Sequence, residues 1–465
     1  MIYNLTTRKN LILFSILYFC FATIALVFSP PFFTYDSYHY MYLSLIPKYG
    51  DSHSIGFGYF LKFLAVTSDF FYAKSFTTVF LLWNSLCLSV FFFVPCIYFT
   101  NELFNHKDVF KIKSNRAFWT ITLILLITLT SNLLLVNAFW SEMTSLLQLA
   151  IFAVSADRYL SNGKKRYLLI LTIICPLAYH TRYLMVLLPA CLVGIFVLQF
   201  FKYRSTIPIR VSKTRLIFAV SVIAASLAFT NFTLSRSLPN LNIKRDTTAL
   251  VLNTSMQCAL RCHTKMFETD CSTPEGKKII EGSLCRDIIF GLVKTGNPVA
   301  DPSSAMNIIK QNGLLNSIIW VLIAPFTYLT DKHDLEVGLF AFGKDTAPAT
   351  AYPEVINYYG RFFADDTPTT ANPSFTPLVR LLHILFHGSF FHLLTIIILA
   401  ASGYVLLKTK NITTAIMATY ALGTYMVFAY LNPHVPFRFL MQIISPGVLA
   451  TCLYFIERKK LSVKN

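Results

Sequence analysis

The sequence predicts an all-α, polytopic membrane protein, and three observations predict it. Of 465 residues, 55% are hydrophobic and 13% charged, where a soluble domain carries about 25% charged residues. Nearly uncharged runs of about 18 residues or more recur along the chain, long enough to cross a bilayer as helices. The basic residues are unevenly placed. A net charge of +18 suggests a nucleic-acid partner only until its distribution is seen, and the positive-inside rule accounts for it better.

Taken in order, the apolar runs predict spans at 11–29, 76–100, 117–136, 141–157, 167–181, 183–201, 216–234, 388–407, 412–431 and 439–456. With the N-terminus inside, the inside segments are 1–10, 101–116, 158–166, 202–215, 408–411 and 457–465. They hold 21 of the 40 Lys and Arg. About ten crossings with both ends inside follow. The run "GLLNSIIWVLIAPFTYLT" (313–330) would invert this bias if it crossed, so it reads as a re-entrant or interfacial helix. The organisation is then a membrane module at 1–234 with a first outside loop at 30–75, an outside region at 235–387, and a three-span module at 388–465. The first span is long, lacks a small-residue cleavage site and reads as a retained helix.

Four cysteines, Cys258, Cys262, Cys271 and Cys285, cluster in the outside region. Two disulfides in an oxidising compartment are the main reading, with the pairing open. A four-thiolate zinc site is the rival, although the spacings fit no familiar zinc pattern. His383, His387 and His392 have partial metal-ligand spacing but no accompanying carboxylate. No cofactor is expected, and no nucleotide-binding fingerprint is present: "GFGYFL" lacks the third glycine and the strand–helix context.

The first outside loop opens with "SPPFFTYDSYHYMYLS". Pro30 and Pro31 end the first span, and Tyr35, Tyr38, Tyr42 and Leu45 recur with helical spacing up to Ile46. The expected helix lies along the membrane interface, with tyrosine rings in lipid and hydroxyls in water. Asp36 stands in its first turn. A carboxylate there suits the helix dipole, and it also suits a general base acting on a headgroup at the membrane surface.

Further along, Glu142 heads a span, His180 and Arg182 end the next, and His434 and Arg438 precede the last. Each permits a bland role. Arginines at span ends commonly snorkel, Lys62 suits an interfacial anchor, and Glu142 suits a helix cap or an arginine partner. The acidic, turn-rich stretch holding Asp365 and Asp366 reads most simply as a solvated loop.

In their order along the chain, Asp36, Ser141-Glu142, Arg182 with Pro189, and Arg438-Phe439 with Pro446 resemble the motifs of the GT-C superfamily of polytopic glycosyltransferases. The likeness covers most of 1–230 and 412–456. It implies a polyprenyl-phosphate sugar as donor, a glycan or lipid-glycan as acceptor, membrane lipid as surroundings, and no nucleic acid. Asp36 is implied as the base, and Arg182, Arg438, Lys62 and His180 as the groups that hold the donor phosphate. Glu142, Tyr35, Tyr38 and His434 are implied as possible substrate contacts. The chain departs from the commonest family pattern in one respect: Ser37, not a second acid, follows Asp36. That departure disfavours a metal held by paired carboxylates. The overall plan is similar to that of serotype-converting O-antigen glucosyltransferases, which implies a bacterial inner membrane with the active site facing the periplasm. Asn231 and Asn253 begin glycosylation-acceptor triplets and keep a eukaryotic luminal setting open. Two other classes stay in play. One is a surface-glycan polymerase or ligase, the other a flippase or transporter of a lipid-linked sugar, which would need charges within its spans or internal repeats.

Overall fold

The structure, a computed structural model, describes residues 35–49, 53–70, 76–104, 141–200, 211–239, 247–260, 309–310, 313–328, 352–362, 388–431 and 437–464, together with Ile16. Among them the regular elements are helices, and no strand occurs. They are α1 (Tyr35–Leu45), α2 (Ile55–Phe70), α3 (Phe76–Phe104), α4 (Glu142–Asn162), α5 (Lys165–Thr181), a 3₁₀ turn (Tyr183–Val186), α6 (Leu187–Phe200), α7 (Lys213–Ser237) and α8 (Thr247–Ala259). There follow α9 (Leu314–Tyr328), α10 (Pro353–Tyr359) with a 3₁₀ turn (Gly360–Phe362), α11 (Gly388–Lys408), α12 (Ile412–Leu431) and α13 (Phe437–Lys464).

The described residues are therefore all-α, as expected. Among the described residues, α7 and α12 are long and apolar enough to cross a membrane, which points to membrane association. Shorter apolar helices lie at 82–92, 183–195, 314–328, 393–408 and 441–455. The expected spans 11–29 and 117–136 lie outside the described residues, apart from Ile16. The segment expected to be re-entrant or interfacial forms α9, whose 15 residues are fewer than the roughly 20 of a full crossing. Ser317, Ala324, Pro325 and Tyr328 of α9 are buried, while Leu315, Leu322 and Phe326 are exposed.

Local sequence sets the helix ends that matter most. α4 stops at Gly163, which has φ +68° and donates its N–H to the Tyr159 carbonyl at 2.8 Å. Glycine enters that left-handed conformation without a steric cost, and a Cβ there would also come within 3.0 Å of the Arg215 guanidinium. The turn sends α5 back along α4 as an antiparallel neighbour. At the start of α7, Ser212 accepts a hydrogen bond from the Arg215 N–H at 3.5 Å, serving as N-cap. Prolines inside α3, α5, α9 and α13 sit in apolar helices whose neighbours tolerate a missing N–H.

Two hydrophobic cores result. The larger joins α3 to α7 with α9, α11, α12 and α13 through residues such as Leu149, Leu188, Ile416 and Leu449. The smaller joins α1, α2, the start of α3 and α10 through Tyr38, Phe57, Phe80 and Tyr359. The second arrangement changes one expectation. α1 covers the predicted segment, but Tyr38 is fully enclosed and Tyr42 half-buried, because α2 and α10 pack against it. Tyr38, Tyr40 and Tyr42 are packing groups in an aromatic cap. Within that cap Ser44 Oγ meets the Tyr359 hydroxyl at 2.6 Å. Burial pushes the Tyr38 phenol up to about 12 and the Tyr359 phenol higher still, so both remain neutral hydrogen-bonding groups at physiological pH.

Candidate functional site

The α4–α5 hairpin brings its open ends together. Glu142 is the first residue of α4, and Arg182 is the extended residue that ends α5. Arg182 Nη1 lies 2.6 Å from Glu142 Oε1, and the side chains are 11% and 4% exposed. A charge buried this far persists only when paired, and an ionised pair at this distance makes a short, strong hydrogen bond. Glu142 gains further from its place in the first turn of α4, facing the positive end of the helix dipole. The Tyr420 hydroxyl of α12 donates to Met185 Sδ, three residues beyond Arg182, at 3.3 Å.

Polar side chains on α4 continue inward from this pair. Ser141, Ser145 and Gln148 follow i, i+4, i+7 spacing, one face of a helix, and all three are buried. Gln148 Nε2 donates to Thr181 Oγ1 at 2.9 Å, and Trp83 Nε1 donates to Thr144 Oγ1 at 3.1 Å. The aromatic cap docks on the same spot. Tyr40 of α1 shares a hydrogen bond with Ser141 Oγ at 3.3 Å, Ser54 Oγ donates to the Thr181 carbonyl, and the Tyr183 hydroxyl donates to the His53 carbonyl at 3.4 Å. Gly56 permits this docking: a Cβ there would lie 2.4 Å from the His180 carbonyl oxygen. Sequence reasoning had named Ser141 but not Tyr40, Ser54, Gln148, Thr181, Tyr183 or Tyr420. The α4 residues carried a signal, since polar side chains at helical spacing within an apolar run mark an inward face.

The residues singled out from sequence divide into three groups. Glu142 and Arg182 meet. Asp36, the second residue of α1, lies one turn before Tyr40. Arg438, the second residue of α13, stands at the end of that helix opposite Glu457, and Glu457 bonds Thr409 and Lys410 N–H. The side chains of Tyr35, Asp36 and Arg438 lie outside the described part of the structure, as does His434 altogether.

Others sit apart from the ion pair. Lys62 donates to the Ser44 carbonyl at 3.5 Å, with its ammonium 5.2 Å from the Tyr358 ring centroid, which makes it part of the cap. His180 is 8% exposed, packs its ring against Tyr179, and has no hydrogen-bond partner for Nε2 among the described residues. Tyr38 is enclosed in the cap. Cys258 falls in the last turn of α8 with its side chain undescribed, and Cys262, Cys271 and Cys285 lie outside the described residues, as do His383 and His387. Among the described residues no three His, Cys, Asp or Glu side chains group as metal ligands.

Comparison with protein-family profiles, curated proteins and solved structures gave no match.

Proposed function

We propose that the chain is a membrane glycosyltransferase that moves a sugar from a polyprenyl-phosphate donor to an extracytoplasmic glycan or lipid-glycan acceptor. The observation that carries this reading is the hydrogen bond by which Tyr40 of α1, the helix that bears Asp36, meets Ser141, the residue next to Glu142 of the Glu142–Arg182 pair. An acid-bearing helix and a buried guanidinium thus belong to one end of one bundle. The donor has an apolar tail and an anionic head, so its enzyme needs apolar helices that end at fixed cations.

In the proposed reaction the acceptor hydroxyl oxygen attacks the anomeric carbon, and the carbon–oxygen bond to the lipid phosphate breaks. The hydroxyl proton passes to the Asp36 carboxylate, and polyprenyl phosphate leaves with the bonding pair. One displacement inverts the anomeric centre. Negative charge builds on the leaving phosphate, where Arg182 and Arg438 favour the transition state over the ground state. Glu142 orients the Arg182 fork in advance, so little reorganisation remains when phosphate arrives. Arginine suits this role because its planar donors match phosphate oxygens. The ten-crossing topology, the bacterial inner membrane and the periplasm-facing site belong to the same reading; the topology is supported by the meeting of the described parts of the predicted inside segments, within 158–166, 211–215, 408–411 and 457–464, at the other end of the bundle. The lipid-linked sugar is a substrate and no further cofactor belongs to this reading; a divalent metal is its less favoured alternative.

The test is single-turnover transfer from an isotope-labelled polyprenyl-phosphate sugar in membranes that carry the wild-type chain or Asp36→Asn. A positioned base contributes about 10²–10⁴-fold. The expected result is a loss of that size with donor retention unchanged, and turnover at the wild-type rate would remove Asp36 from the mechanism.

A further inference from the structure

The end of the bundle opposite the ion pair is held together by three contacts. Arg215 of α7 donates through Nη1 to the Leu160 and Ser161 carbonyls at 3.1 and 3.0 Å. Asp157 of α4 accepts from the Thr413 hydroxyl of α12 at 3.3 Å. Glu457 of α13 accepts from the Thr409 hydroxyl at 2.6 Å and the Lys410 backbone N–H at 2.7 Å. The turn after α4, the start of α7, the turn between α11 and α12 and the last turns of α13 therefore share one face.

Most charges on that face are sorted by sign, with Arg215 the inward-turned cation. Asp157 and Glu457 are 4% and 7% exposed, and their carboxylates turn inward onto hydroxyls and a backbone N–H. Lys164, Lys165, Arg166, Lys408, Lys410 and Arg458 are all exposed. The acids are thus spent on holding the helices together while the cations form an outer rim. Each part of the rim also borders exposed apolar surface within one turn of its own helix. Leu169 follows Arg166, Ile217 follows Lys213, Leu407 precedes Lys408, and Phe455 precedes Arg458, all of them more than half exposed or close to it.

We infer that this rim binds anionic phospholipids, with headgroup phosphates on the lysines and arginines and acyl chains along the apolar residues behind them. Charge alone would also attract a nucleic acid, but a polyanion has no use for the apolar border, whereas a phospholipid matches both halves. Basic side chains near an anionic leaflet each contribute a modest, additive attraction. The inference concerns a surface remote from the proposed transfer site and holds whatever reaction that site performs.

The experiment uses the full chain purified in neutral detergent, with lipid retention read by native mass spectrometry and thermal unfolding read in parallel. The probes are phosphatidylglycerol, phosphatidylcholine, inorganic phosphate and a short RNA. Phosphatidylglycerol should be retained preferentially and raise the unfolding temperature. In the variant K164Q/K165Q/R166Q its retention should fall about fivefold for each cation removed, with lipid-free unfolding unchanged. Lys48→Gln, in the aromatic cap at the opposite end, should leave retention as in the wild type. Equal retention of phosphatidylcholine, an undiminished preference in the triple variant, displacement of the lipid by millimolar phosphate, or tighter binding of RNA would each overturn the inference.

Discussion

The two cores of this molecule are built from different materials. Among the described residues, eight of the thirteen buried in the cap core are aromatic, against nine of forty-seven in the bundle core. The bundle is accordingly a set of closely approaching aliphatic helices, with alanines at contacts such as Ala150, Ala178 and Ala418. The cap is a stack of plates that keep polar handles: Ser44 with Tyr359, and His39 Nδ1 with the Tyr352 hydroxyl at 2.8 Å. Rings with a wet edge suit a boundary between apolar and aqueous surroundings. The comparison teaches where chemistry is affordable. Each core alone is a packing solution, and the Glu142–Arg182 pair with its hydroxyl neighbours sits at the seam between them.

Perturbing the seam should cost more than perturbing either side. The largest stability effect is expected from Arg182→Ala, which strands the Glu142 carboxylate in a buried site. Removing one partner of such a pair costs about 3–5 kcal/mol, readable as a drop in chemical-denaturation stability. Replacing both partners, as in E142Q/R182M, should recover most of it, and a double variant as unstable as Arg182→Ala would show that the pair is not what matters. Gly56→Ala comes next, because its new methyl meets main chain at His180; a cost of about 1–3 kcal/mol is expected, with loosened contact between cap and bundle visible as faster hydrogen exchange in α2. Tyr40→Phe removes one hydrogen bond across the seam and should cost about 1 kcal/mol. Tyr359→Phe, wholly within the cap, should cost about the same or less in stability and leave any transfer activity intact. Loss of activity there would mean that cap and site are not separable in the way the seam implies.

Much of the bundle was legible because it is written locally. The apolar runs that predicted spans at 141–157, 167–181, 216–234 and 412–431 correspond to α4, α5, α7 and α12, and the glycine and paired lysines at 163–165 mark the turn between α4 and α5. Even the ion pair was latent. Glu142 and Arg182 lie 21 and 19 residues from Gly163 (163 − 142 and 182 − 163), so an antiparallel hairpin must set them level. The cap was not legible. Its parts are about 300 residues apart, α10 is only 7 residues long, and no periodicity in either segment announces the other. The expectation that Tyr38 and Tyr42 rest in lipid failed for that reason: a partner distant in sequence covers them. Asp36 and Arg438, which the proposed reaction uses, are located by the helices that bear them, and their side chains lie outside the described part of the structure.

The proposed reaction moves a sugar onto a surface glycan with Asp36 as base. Mass analysis of surface glycans tests it most directly, comparing cells that carry the wild-type gene, the Asp36→Asn gene and no gene. The account predicts one sugar residue present in the first and missing from both of the others, with Asp36→Asn protein found in the membrane at the wild-type level. Identical glycans in all three would contradict it.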